Sequence, residues 1–180
     1  MSVGINPGDA GSFMFKVVHG GFGMALERAG SSNNWELVTN AGSGGLSMYA
    51  NGFLAGSFDP ITGAYSPVSD KRFKTNIQPI ASVLSNLLKL NPKHYELNRN
   101  NPTRKQSLGF IAQEVKELFP ELVHISDDPR SQGYHTIDYT GFSVLAVKAI
   151  QEQQAIIESQ AKEIADLKHR LEKIEMMLQE

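Results

Sequence analysis

From Ile150 onward, apolar residues return at every seventh position: Ile150, Ile157, Ile164, Leu171 and Leu178. Taking these as heptad position a puts Gln153, Gln160, Leu167 and Ile174 at position d. A stripe sustained over this length makes one long helix whose seam only other helices can cover. Isoleucine at a, with leucine and isoleucine at d, favours more than two strands. Glu163 with Lys168, and Arg170 with Glu175, place opposite charges at g and e, as parallel neighbours require. The two glutamines weaken the start of the coil while fixing its register. The expected assembly is a parallel homotrimer with a seam of Ile150, Ile157, Ile164, Leu167, Leu171, Ile174 and Leu178; a dimer is the second choice.

The other end of the chain has a different grammar. Residues 1–68 hold thirteen of the sixteen glycines. Between them lie short β-like runs: Phe13–Val18, Trp35–Thr39, Leu46–Ala50 and Phe53–Ala55, with Met24–Arg28 read as a further strand. Turn signals bound them, among them Gly20-Gly21, Ser31–Asn34, Gly44-Gly45 and Asp59-Pro60. Asn51-Gly52 predicts a tight hairpin. So short and glycine-rich a segment buries little core alone. It is either a small β-sandwich or a slice of a fibre in which three chains share one core, and the heptad seam favours the fibre.

Ordinary patterns fill the middle. The spacing of Ile80, Val83, Leu84, Leu87 and Leu88 predicts a helix over 80–90, stopped by Asn91-Pro92. Strands are expected at His94–Leu97, Leu108–Ile111, Leu122–Ile125 and Tyr134–Tyr139, the last two as a hairpin. A short helix is expected over Ala112–Leu118. The fold class is therefore α+β. It comprises a β-rich segment over 1–68, a small α+β domain over 69–140 and a coiled-coil helix over 141–180.

Composition limits the functions available. A net charge of −2 argues against nucleic-acid partners. No apolar run approaches the ~20 residues that span a bilayer, so no membrane insertion is expected. The first residues lack the basic and apolar regions of a signal peptide. There is no cysteine. His19, His94, His124, His135 and His169 are scattered without metal-ligand spacing, Asp127-Asp128 lacks a calcium-loop pattern, and no glycine pair makes a phosphate loop. No metal and no cofactor are expected.

The junction, Ser69-Asp70-Lys71-Arg72-Phe73-Lys74-Thr75-Asn76-Ile77, carries the one chemical candidate. A serine with a lysine five positions on can form a nucleophile–base pair. A lysine serves as a base only when its pKa falls from ~10.4 toward neutrality. Burial or nearby cations such as Lys71 and Arg72 would have that effect. Five extended residues span roughly 16 Å, and on a helix positions 69 and 74 face different ways. The two side chains meet only if the chain turns between them, or if the lysine comes from another subunit.

Ser69-Asp70-x-Arg72-x-Lys74-x-x-Ile77 resembles the start of the intramolecular chaperone auto-processing domain, or peptidase S74 domain, of phage tail spikes, tail fibres and endosialidases, found also in myelin regulatory factor. Gly109–Val115, Pro120–Val123 and Ile137–Tyr139 are similar to its later motifs, in the same order, and the heptad helix also matches. The resemblance implies a homotrimer that helps the upstream fibre segment of the same chain to fold and then cuts itself off. The scissile bond would be Val68–Ser69, with Ser69 as nucleophile, Lys74 as base and Asn76 as a polar helper or a turn residue. Gln113 and Glu114 would neighbour the site, and Asp70 with Arg72 would form a structural ion pair. The resemblance places the mature fibre, extending upstream of Met1, in a virion tail after assembly in the host cytoplasm. That fibre would face a host surface receptor, and the chaperone would be released. The alternative is an uncleaved trimeric fibre tip, or adhesin, that binds a surface ligand.

Overall fold

The computed structural model describes residues 23–27, 33–40 and 42–179. The expected strand Phe13–Val18 and the turn at Gly20-Gly21 lie outside them. The chain divides into two compact units, Met1–Ile77 and Gln78–Glu180.

In the first unit, β1 (Met24–Glu27), β2 (Asn34–Thr39), β3 (Leu46–Ala50), β4 (Phe53–Phe58) and β5 (Tyr65–Pro67) form one antiparallel sheet in that order. The β3–β4 hairpin turns at Asn51 and Gly52, both at positive φ (52° and 78°), in a turn whose twist matches that of the strands. Strand β4 runs to Phe58, three residues beyond its expected end. Strand β5 went unforeseen because Pro67 argues against a strand; it is an edge strand, where a missing N–H is tolerated. Among the described residues, every buried hydrophobic side chain belongs to the second unit. The sheet instead leaves Leu26, Trp35 and Phe53 largely exposed.

The second unit has its own core of Val83, Val115, Phe119, Leu122, Leu145 and Ala149. It also holds two antiparallel hairpins, β6 (Lys93–Glu96) with β7 (Gln106–Gly109), and β8 (Val123–Ile125) with β9 (His135–Ile137), the second of which packs Val123 and Ile137 on the core. Helix α2 (Ala112–Leu118) falls where expected and contributes the fully buried Val115. The expected helix over 80–90 shrinks to α1 (Leu84–Leu87). Its start is fixed by Glu152, whose carboxylate accepts from Ser82 Oγ (2.8 Å) and from the backbone N–H groups of Val83 and Leu84 (both 3.1 Å). Orphan helix donors are thus satisfied by a side chain distant in sequence. Strand β7 begins two residues earlier than expected, because Gln106 pairs with Glu96.

Helix α3 (Gly141–Leu178) is about 57 Å long at 1.5 Å per residue. Asp138 Oδ1 accepts from the N–H groups of Thr140 and Gly141 at its start. Only its first turns reach the core, through Leu145 and Ala149. Beyond these the seam residues Ile150, Ile157, Ile164, Leu167, Leu171, Ile174 and Leu178 are 51–81% exposed. No helix of the described residues is long and apolar enough to cross a membrane.

Candidate functional site

The site is built on one turn of chain. Asp70 is extended (φ −71°, ψ 134°), Lys71–Phe73 make a single 3₁₀ turn, and Lys74 is extended again (φ −116°, ψ 135°). Two backbone bonds close the turn, Phe73 N–H to Asp70 O and Lys74 N–H to Lys71 O, each 3.1 Å. Asp70 caps it by accepting from the Arg72 N–H at 2.8 Å, as short acidic side chains do at such starts. The path out of the turn therefore lies back beside the path in. Lys74 Nζ donates to Ser69 Oγ at 2.6 Å. Within the single chain, the turn alone is enough to bring the two side chains together.

Asp70 and Arg72 form the expected ion pair. The guanidinium grips the carboxylate through Nε (3.1 and 3.2 Å) and one terminal nitrogen (2.8 Å). These bonds, then the Arg72 backbone N–H, hold the Asp70 carboxyl below the usual aspartate range, and Asp70 in turn raises Arg72. Arg72, one of the cations expected to act on Lys74, thus spends its charge on Asp70. Ser69 and Lys74 are exposed in the single chain.

Asn76 takes a left-handed conformation (φ 52°), which asparagine tolerates better than most residues. Among the described residues no hydrogen bond joins it to Ser69 or Lys74, so its visible work is at the bend. Gln113 and Glu114 lie on α2 of the second unit, where Glu114 pairs with Lys93 at 2.9 Å. Val68 leaves the sheet edge directly after β5, its N–H donating to Ala55 O at 3.0 Å. The pairing below it leaves Gly56 no room for a side chain: a Cβ there would sit 2.5 Å from the Tyr65 hydroxyl and 2.7 Å from Ser66 O. Sequence reasoning missed this support, and the turn residues Asp59 to Gly63 followed by Tyr65 were its only signal. Among the described residues there is no group of three or more His, Cys, Asp or Glu that could hold a metal ion.

A serine in direct hydrogen-bond contact with a lysine thus stands at the junction, and the α+β second unit ends in a long helix. The model of the family described as chaperone of endosialidase (peptidase S74) matches residues 69–124, about a third of the chain. The match supports an S74 chaperone domain in this segment, and that family is associated with self-cleaving peptidase activity. The match begins at Ser69 itself. No curated protein matches the chain.

Proposed function

We propose that this chain is the C-terminal intramolecular chaperone of a phage tail fibre or spike. It trimerises through α3, guides folding of the β-rich segment ahead of it, and releases itself by cutting Val68–Ser69. The observation that carries this is the 2.6 Å contact between Lys74 Nζ and Ser69 Oγ, at the residue where the family match starts. Neutral Lys74 accepts the hydroxyl proton while Ser69 Oγ attacks the carbonyl carbon of Val68. The C–N bond breaks, the proton passes to the Ser69 nitrogen, and an ester joins the Val68 acyl group to Ser69 Oγ. Water then hydrolyses the ester, leaving a Val68 carboxylate and the free Ser69 hydroxyl.

Assembly has two reasons to precede cutting. The described part of the first unit is one sheet without a buried hydrophobic side chain, which suits a core completed by other chains. The Ser69–Lys74 pair is exposed in one chain, whereas a lysine base needs desolvation; packing in the trimer supplies it. The coil raises the effective concentration of the strands, and its removal makes the fibre's stability kinetic. Intact mass under denaturing conditions tests the proposal: wild type should give two pieces meeting at Val68–Ser69, and Ser69→Ala one. If both stay whole in a verified trimer, self-cleavage fails and the uncleaved fibre tip replaces it.

A further inference from the structure

The two halves of the proposed reaction are held by different structures. The acyl half, Val68, is fixed to the sheet by its N–H bond to Ala55 O. The Tyr65 hydroxyl reaches the same oxygen at 3.5 Å. The attacking half, Ser69 with Lys74, flanks the 3₁₀ turn. Attack succeeds only if the turn stands at a fixed angle to the strand, because a displacement of about 1 Å costs on the order of 10²-fold in rate. Hydrogen bonds within the turn cannot set that angle, since both partners of each lie on it.

Phe73 can. It is the last residue of the turn, next to Lys74, and is 67% exposed. Neither the Asp70 cap nor the Asp70–Arg72 pair needs an aromatic side chain at this position. Its ring lies 6.0 Å from the Arg72 guanidinium carbon, and Arg72 is itself clamped by Asp70. Phe73 and Val68, with Phe53, Leu54 and Ala55 of β4, line one half-open apolar cavity of about 370 Å³. The turn and the strand therefore face one apolar space beside the scissile bond. On the self-cleavage reading, we infer that Phe73 is a positioning residue. It seats the turn against β4 and the side chain of residue 68, so that Ser69 Oγ faces the Val68 carbonyl.

The test follows full-length chain made by cell-free translation, with timed denaturing mass spectrometry for cutting and light scattering for oligomeric state. Phe73→Ala should cut about 10–100-fold more slowly than wild type in an unchanged oligomer. Phe73→Leu, which keeps apolar bulk, should cut within about threefold of wild type. Hydroxylamine, which cleaves esters, should not restore Phe73→Ala, because the slowed step precedes the ester. Phe73→Ala cutting at the wild-type rate would overturn the role of Phe73 and leave self-cleavage standing. So would Phe73→Leu as slow as Phe73→Ala, hydroxylamine restoring the rate, or slowing accompanied by loss of the oligomer. A wild type that stays whole would overturn both.

Discussion

Lys74→Arg separates the role of the amine as a base from its role as a charge. Arginine keeps a positive charge and can still reach a neighbouring hydroxyl, but it does not deprotonate in proteins. In the native turn, Lys74 Nζ lies 2.6 Å from Ser69 Oγ, a direct contact with no room for a bridging water. Among the described residues no histidine, aspartate or glutamate hydrogen-bonds to Ser69 Oγ, so nothing adjacent can substitute. A positioned general base typically contributes 10²–10⁴-fold. Lys74→Arg should therefore slow cutting by about that factor while folding and oligomeric state stay unchanged. The time course of intact mass after cell-free translation, beside light scattering, reads both quantities. A variant that cuts within about threefold of wild type would refute Lys74 as the base and reduce the short contact to a structural one.

Val115→Ala removes two methyl groups from the one large side chain that is fully buried among the described residues. At ~0.8 kcal/mol per group plus a cavity term, the second unit should lose about 2–3 kcal/mol in urea unfolding; a loss under about 0.5 kcal/mol would place the core elsewhere. Glu152, held below its usual 4.5 chiefly by the Ser82 hydroxyl and also by two N–H groups and Lys148, contributes stability that is present above pH ~4.5. That contribution is lost as pH falls through its lower folded value. Glu152→Gln should therefore be less stable than wild type at neutral pH and show a flatter acid limb, and identical limbs would argue against the tether. On the proposed trimer, Ile157→Asp with Ile164→Asp should shift the scattering mass to the 19.8 kDa single chain and abolish cutting. Efficient cutting by that monomer would break the link between assembly and activity.

The sequence was most legible where one residue type repeats or where local chemistry is decisive. The heptad stripe announced a helix, and α3 spans Gly141–Leu178; Asn51-Gly52 announced a turn; Ala112–Leu118 was bounded by Phe119-Pro120. It misled where distant residues decide. Apolar spacing over 80–90 suggested three turns of helix, but only Leu84–Leu87 is α-helical, because the helix begins where the Glu152 carboxylate takes its first N–H groups. Glu152 occupies a heptad position that normally faces water, so no periodicity marks its role.

At the site the division is the same. The residue types alone nominated Ser69 and Lys74, because a hydroxyl and an amine are the groups such chemistry needs. Their spacing could not say whether they meet: extended chain holds them roughly 16 Å apart. That they meet at 2.6 Å depends on the 3₁₀ turn capped by Asp70. The surroundings of Val68 depend on the β4–β5 pairing, in which Gly56 lets Tyr65 and Ser66 approach closely. Sequence by itself determined the helix, the turn residues and the candidate groups, since each follows from local propensity and chemical identity. Tertiary structure alone decided which groups touch and what holds the bond between them, because contact depends on chain paths that no local pattern encodes.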